Sequence, residues 1–283
     1  MQELWTIGRI LKWTEQYFKE KGIESPRLDA EVLLSHILGR ERIYLYVHFD
    51  EPLEPAELAR YREAIKQRVQ RVPVAYIIGE KEFMGLTFKV TEDTLVPRPD
   101  TEILVQAAVE RLRARGEAPR FADIGTGSGA ICLSVLHFLP KAQADTVDIS
   151  PAARAVAEEN AAALEVASRV TFHTGDLLTP LAGSYDAILS NPPYIPDDDI
   201  AALAPEVRLK EPHTALAGGK DGLDFYRRLT ADAPAHLKDG GFLAVEVGIH
   251  QAAPVAALAA PSFSRTEILK DYAGIERVVI AWK

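Results

Sequence analysis

Three short stretches of this 283-residue chain carry residue types whose order and spacing can do chemistry. The first, Asp123-Ile124-Gly125-Thr126-Gly127-Ser128-Gly129-Ala130, follows a strand-like run and opens a helical pattern. Glycines in such a turn let the backbone bend tightly and approach a ligand closely, while the helix N-terminus offers unpaired N–H groups. The second is Asp148, an acid that closes the next strand-like run 19 residues after Gly129. An acid there can accept hydrogen bonds from both hydroxyls of a ribose. The pair predicts an adenosine-type cofactor and leaves open whether it is a nicotinamide dinucleotide or S-adenosylmethionine. The plainer use of Asp148 is as a helix N-cap ahead of Ser150-Pro151.

The third stretch, Asn191-Pro192-Pro193-Tyr194, directly follows the fourth strand-like run. Ligands of doubly wound sheets bind beyond the carboxyl ends of the strands, so it shares a crevice with the glycine loop and Asp148. Pro193 fixes its own φ and restricts Pro192 to extended geometry. The Pro192 carbonyl and the Asn191 side-chain oxygen then become two fixed acceptors, and Tyr194 adds a flat face. Two acceptors and a ring describe a receptor for a planar group bearing NH2: an amide, or the exocyclic amine of a base. A dinucleotide oxidoreductase accounts for Gly125 to Asp148 but leaves Asn191 to Tyr194 idle. Cys132, the single cysteine, lies one turn into the helix after the glycine loop and reads as packing.

The elements that must position these residues are legible from periodicity. Strands are predicted at Arg120 to Ile124, Ala144 to Asp148, Val170 to His173, Tyr185 to Ser190 and Gly241 to Val247, with helical patterns between most of them. That alternation predicts an α/β fold with a parallel, doubly wound sheet. Two more strands, Arg265 to Leu269 and Glu276 to Trp282, are separated by a linker too short for a crossover helix, which makes them an antiparallel hairpin on the sheet edge. Residues 80–92 alternate around Gly85 and predict a β-hairpin joining two domains.

The first 75 residues predict a small helical bundle. Ile7, Ile10, Leu11, Thr14, Tyr17 and Phe18 recur at helical spacing up to Gly22; Leu28, Val32, Leu33, Ile37 and Leu38 follow Ser25-Pro26 and stop at Gly39; Leu58, Tyr61, Ile65 and Val69 follow Pro55. Trp5, Trp13 and Tyr17 are assigned to its core. The division predicted is 1–75 helical bundle, 76–94 hairpin linker and 95–283 catalytic domain.

Composition excludes several classes. With 47% apolar and 26% charged residues the chain is an ordinary globular one. No long apolar run or signal-peptide layout is present, which predicts a cytoplasmic protein without membrane attachment. One cysteine excludes an intramolecular disulfide and Cys-cluster metal sites, and no metal is expected. Of the 32 basic and 41 acidic residues, residues 1–75 hold 12 of each, so the remaining 20 and 29 leave the whole net charge of −9 in residues 76–283. Such a surface disfavours phosphate backbones, and no direct nucleic-acid partner is expected.

The glycine loop, Asp148, Gly175-Asp176-Leu177-Leu178 and Asn191 to Tyr194 resemble class I S-adenosylmethionine-dependent methyltransferases that modify amino nitrogens. Further stretches narrow the resemblance: Ser25 to Glu31, Glu82 to Leu86, Val96 to Glu102, Glu211-Pro212, Gly218 to Leu223, and Glu246-Val247-Gly248 with Gln251. Together they are similar to the release factor glutamine methyltransferases over nearly the whole chain. The resemblance implies a Rossmann-like methyltransferase domain and S-adenosylmethionine as cofactor. The implied substrate is the side-chain amide (N5) of the glutamine in the Gly-Gly-Gln motif of class I peptide chain release factors. The N-terminal bundle, which holds no ligand motif and has balanced charge, is expected to hold the release factor, and the enzyme is expected to be a monomer. It implies a cofactor site of Asp123, Gly125, Thr126, Gly127, Ser128, Gly129, Asp148, Asp176, Leu177 and Asn191, with ribose on Asp148 and adenine near Asp176 and Leu177. Asn191, Pro192, Pro193 and Tyr194 form the implied substrate site, and Asn191, Pro192 and Tyr194 the catalytic set. An adenine-N6 DNA or RNA methyltransferase is the competing expectation, because an exocyclic amine fits the same four residues.

Overall fold

The computed structural model describes residues 4–283. The chain forms two compact units, one running to Gly79 and taking in Ala204–Lys210, the other built from Glu80–Leu203 and Glu211–Lys283. No helix among the described residues is long and apolar enough to cross a membrane.

The smaller unit holds α1 (Ile7–Glu20), α2 (Pro26–Leu38), α3 (Arg42–Val47), α4 (Pro55–Val69) and α5 (Val74–Ile78). Local chemistry sets their ends. Pro26 sits in the first turn of α2, where its missing N–H costs nothing, and Gly39 closes that helix at φ 60°. A capping box of Glu54 and Glu57 starts α4. Phe18, Leu33, Leu34, Tyr61 and Ile65 meet in one core.

Two expectations fail here. Trp13 is 47% exposed; it stacks on Tyr17 at 5.1 Å and meets Trp5 edge-on at 6.3 Å. Ile7, Ile10, Leu11, Thr14 and Phe18 already fill the inner face of α1, so Trp13 lies on the surface, while Trp5 and Tyr17 are partly buried against the core. On α2, Leu28 is exposed while Asp29 and Glu31 are buried. Apolar periodicity misses that face because acids occupy it, each neutralised by partners. Arg68 Nε donates to Asp29 at 2.7 Å and its Nη2 to Glu206 at 2.8 Å. Glu31 accepts from Arg27, from Arg42 at 2.7 Å and from Tyr46 at 2.6 Å. Removing one member of such a buried set leaves an uncompensated charge, which costs about 3–5 kcal/mol.

The larger unit begins with an antiparallel hairpin, β1 (Glu80–Phe83) and β2 (Leu86–Lys89). Met84 and Gly85 both have positive φ, the geometry that suits a two-residue hairpin turn. Then come α6 (Glu102–Ala114), β3 (Arg120–Ile124), α7 (Ala130–Phe138), β4 (Gln143–Asp148), α8 (Pro151–Ala163), β5 (Val170–Thr174) and β6 (Tyr185–Ser190). After α9 (Pro205–Lys210), which belongs to the smaller unit, follow α10 (Asp224–His236), β7 (Leu237–Glu246), α11 (Ala252–Ala259), β8 (Arg265–Lys270) and β9 (Glu276–Trp282).

Seven strands form one sheet in the order β5-β4-β3-β6-β7-β9-β8. β3 to β7 run parallel and β9 is antiparallel to both its neighbours, so the chain's last two strands form the expected edge hairpin. Strand residues alternate between two apolar layers: Phe121, Ala187 and Leu189 join α6, α7, α8 and the hairpin, whereas Ala122, Ile124 and Ile188 join α10 and α11. Register places the strand ends level. Ile124 pairs with Val147 and Ser190, and Ser190 pairs with Val245. The next residue of each strand therefore falls in one row: Gly125, Asp148, Asn191 and Glu246.

Candidate active site

Beyond that row lies a cavity of about 410 Å³, within the roughly 300–1,000 Å³ of ordinary ligand sites. Gly125, Thr126, Gly127 and Ser128 form one wall, Asp148, Asp176 and Leu177 a second, and Asn191, Pro192 and Pro193 a third. The structure thus brings most of the predicted residues to one surface. Asp123, Gly129 and Tyr194 stand behind it.

The glycine wall is held by its own backbone. The Gly125 and Thr126 N–H groups both donate to Val147 O, at 2.9 and 3.1 Å, and the Gly127 N–H donates to Asp148 Oδ2 at 2.8 Å. Gly125 and Gly129 have φ of 82° and 84°, a region L side chains rarely adopt. A Cβ on Gly129 would also lie 2.7 Å from Leu133 Cδ1. At Gly127 a Cβ would meet no atom within 4 Å among the described residues, so its main chain faces open space. Asn160 on α8 ties this wall to the hairpin, donating to Ser128 O at 2.8 Å and Lys89 O at 3.0 Å.

Asp148 accepts through both oxygens, Oδ2 from Gly127 and Oδ1 from the Ser150 N–H at 2.8 Å. Ser150, whose side chain accepts from Ala153 N, is the N-cap of α8, so Asp148 does not fill that role. A carboxylate has about four acceptor sites, and the remaining ones stay available to ribose hydroxyls. Behind the loop, Asp123 is fully buried with neither oxygen hydrogen-bonded among the described residues. Burial pushes its carboxyl well above the usual range, and the charge of Asp148 adds to the rise. Burial likewise raises the Cys132 thiol, consistent with packing. Asp176 is ion-paired with Arg228 at 2.6 Å, and Leu177 adopts φ 49°.

At the third wall, Asn191 Nδ2 donates to Thr101 Oγ1 at 3.3 Å. Tyr194 is turned inward: its ring packs against the layer of α10 and α11, and burial pushes its phenol up to about 12. Gln251 fastens its main chain, donating from Nε2 to Tyr194 O at 2.9 Å while accepting from Gly248 N at 3.0 Å.

Several cavity-lining residues carry no role from sequence reasoning. Thr101 and Arg98 line the cavity, and so does Phe225, an aromatic on the same surface as Leu177. Arg98 forms an ion pair with the buried Glu211, which also accepts from Val96 N at 3.3 Å. The stretches Val96 to Glu102 and Glu211-Pro212 had been marked only by resemblance, so their roles become visible through these bonds.

Residues 9–79 match the model of the PrmC N-terminal domain, and residues 99–219 the methyltransferase small domain. The chain is 48% identical to the release factor glutamine methyltransferase of Geobacter sulfurreducens, over 98% of its own length and 96% of the relative's. The chain belongs to the release factor glutamine methyltransferase family. A second member, from Moorella thermoacetica, is 46% identical over 93% of each chain. Among solved structures, a methyltransferase from Pyrococcus furiosus superposes with TM-score 0.57 at 19% identity, over 77% of this chain and 98% of that one. At that identity the likeness speaks for the class I methyltransferase fold. In this family member the third wall is a ledge of Asn191, Pro192 and Pro193, tied to Thr101 through the Asn191 side chain and to Gln251 through the Tyr194 main chain.

Proposed function

We propose that this chain transfers a methyl group from S-adenosylmethionine to the side-chain amide nitrogen of the glutamine in the Gly-Gly-Gln motif of class I peptide chain release factors. The observation that carries the proposal is the level row of Gly125, Asp148 and Asn191 around one cavity, with the Asn191 NH2 engaged by Thr101 and its oxygen left to accept. The bare main chain at Gly127 and the free acceptor sites of Asp148 fit an adenosine-type cofactor. Gly125 to Ser128 would hold its methionine end, Asp148 the ribose, and Leu177 with Asp176 the adenine; Asp123 and Gly129 support this wall from behind.

When bound, the cofactor supplies an electrophilic methyl group on a sulfonium, already a good leaving group. The residues of the chain must deal with a poor nucleophile, an amide nitrogen whose lone pair is delocalised into its carbonyl. Asn191 Oδ1 and the Pro192 carbonyl accept the two amide hydrogens and so fix where the nitrogen stands. Orientation of this kind is worth up to roughly 7–11 kcal/mol in the best intramolecular models. The same two acceptors favour positive charge as it develops on nitrogen. Pro193 keeps the ledge stiff, and Tyr194, packed beneath, supports it. No base is required before transfer, because the product proton is acidic enough to pass to water.

The smaller unit takes the role of holding the release factor. Its exposed Ile43, Tyr46, Val47 and Phe49 offer apolar area of the kind that marks interaction surfaces. Incubation with [methyl-3H]-S-adenosylmethionine tests the assignment: label is expected in a class I release factor and lost when its Gly-Gly-Gln glutamine is replaced. Label in nucleic acid instead would establish the adenine-N6 reading.

A further inference from the structure

Glu246 closes β7, and the pairing of Ser190 with Val245 sets it beside Asn191 in the row of strand ends. Its residue is 2% exposed, and its Oε2 has no hydrogen-bond partner among the described residues. Burying a carboxyl without full pairing is costly. The groups that meet it are the Thr101 hydroxyl and the Asn191 side chain, both stabilising its charged form. Asn191 Nδ2 in turn donates to Thr101 Oγ1 at 3.3 Å. Strand register thus sets the Glu246 carboxyl beside Asn191, and Thr101, hydrogen-bonded to Asn191, lies close to both.

A carboxylate can only accept hydrogen bonds, whereas a hydroxyl has one hydrogen and two acceptor sites. With Glu246 ionised, Thr101 gives its hydrogen to the carboxylate and turns its lone pairs toward Asn191. The two groups that meet the Asn191 side chain, the Thr101 hydroxyl and the Glu246 carboxylate, are then both acceptors, so its NH2 points inward and its oxygen toward the cavity.

We infer that Glu246 is a positioning residue for methyl transfer: acting through Thr101, it holds the Asn191 amide in the one orientation that presents Oδ1 to the substrate amide. The inference rests on the reading of Asn191 as a substrate acceptor. Glu246→Gln keeps the shape but reverses the polarity. Its NH2 can donate to Thr101, which then donates to Asn191 Oδ1 and lets the Asn191 NH2 face the substrate NH2.

The charge state of Glu246 gives the inference a second signature. Burial is the largest influence and pushes the carboxyl up to about 7; Asp100 adds to the rise, while Arg277, itself paired with Asp100 and Asp271 at 2.9 Å, opposes it. The Tyr194 and Tyr226 phenols face the same carboxyl and stay neutral, because burial raises both. The orienting carboxylate therefore forms as pH rises through neutrality, and the transfer rate rises with it.

The test is single-turnover transfer from saturating [methyl-3H]-S-adenosylmethionine to a recombinant class I release factor, for the full-length parent, Glu246→Gln, Thr101→Val, Asn191→Ala and Asn191→Ala/Glu246→Gln. Glu246→Gln and Thr101→Val should each slow transfer about tenfold or more, the scale of a disturbed preorganised partner. Cofactor affinity by calorimetry should stay within about twofold, since no cofactor-binding group is touched. Adding Glu246→Gln to Asn191→Ala should slow transfer no further, because the two act as one unit. The rise in rate between about pH 6 and pH 8 should vanish in Glu246→Gln. A near-parental rate for Glu246→Gln with a slow Asn191→Ala overturns the inference alone, as do effects that multiply in the double variant. A parental rate for Asn191→Ala overturns the reading beneath it. Should Glu246→Gln fail to fold, a fast Thr101→Val or a flat parental pH profile overturns the inference instead.

Discussion

The glycine loop with Asp148, Asp176 and Leu177, taken together as a first wall, and the Asn191 ledge, taken as a second, are built from different material. At the ends of β3 and β4 the lining is largely main chain, left bare at Gly125 and Gly127 and braced by Asp148. At the ends of β6 and β7 the working groups are side chains: Asn191 braced by Thr101, the ledge behind it fastened by Gln251, and Glu246 beneath. The first wall comes from short runs at the ends of neighbouring strands, one of them with glycines at positive φ; the second is gathered from residues 101, 191, 246 and 251 and depends on the direction of each hydrogen bond. Damage to the first should therefore appear in cofactor affinity, and damage to the second in turnover.

Asn191→Ala should break the comparison most visibly. It removes one of two acceptors while leaving the glycine loop and Asp148 intact, and turnover should fall roughly a hundredfold, as when one preorganised partner is lost elsewhere. Calorimetric affinity for S-adenosylmethionine should change far less. Asn191→Asp is sharper, because it keeps the shape but cannot donate to Thr101. A single-turnover rate within about threefold of the parent for Asn191→Ala would reduce the ledge to a structural turn.

Asp148→Ala is the complementary case. Charged hydrogen bonds are worth roughly 1.5–3 kcal/mol each, so the cofactor Kd should rise about 10- to 100-fold. The rate at saturating cofactor should hold much closer to the parent's. Part of the loss will come through Gly127, whose N–H is tied to Asp148. Unchanged affinity would remove Asp148 from the cofactor site.

How much of this was legible in the sequence follows the same division. Arg120–Ile124, Tyr185–Ser190 and Glu276–Trp282 match their predicted spans because they are apolar runs with abrupt polar ends. The glycine loop was legible because its chemistry is local. The start of β7 was missed because Lys238 to Gly241 carries turn residues, and the ladder is irregular where β6 passes from Tyr185 to Ala187. α3 and α5, at six and five residues, are too short to show a period. The inward acids of α2 and the outward Trp13 escaped because burial was read from apolarity alone, whereas Arg68, Arg42 and Tyr46 decide it for the acids. The neighbours of Asn191 escaped because they lie 55 and 90 residues from it: strand register brings Glu246 there, and the turn that starts α6 brings Thr101.

The smallest expected effect concerns the adenine end of the first wall, where the division between main-chain and side-chain construction breaks down. Leu177 offers an aliphatic surface there, but Phe225 on α10 lines the same cavity and is half-buried. A ring at that place can lie against a planar base, and aromatic pairs contribute about 0.5–1.5 kcal/mol beyond area burial. Phe225→Leu keeps the apolar contact and removes the ring. The S-adenosylmethionine Kd should rise roughly 2- to 10-fold, with transfer at saturating cofactor unchanged. Phe225 sits on a helix whose buried face is Tyr226, Leu229 and Ala233, so the substitution leaves that packing alone and a folding defect should not mask the result. If Phe225→Leu binds as the parent does while Leu177→Ala binds several-fold worse, the base rests on the aliphatic side alone, and the first wall needs no side chain from across the cavity.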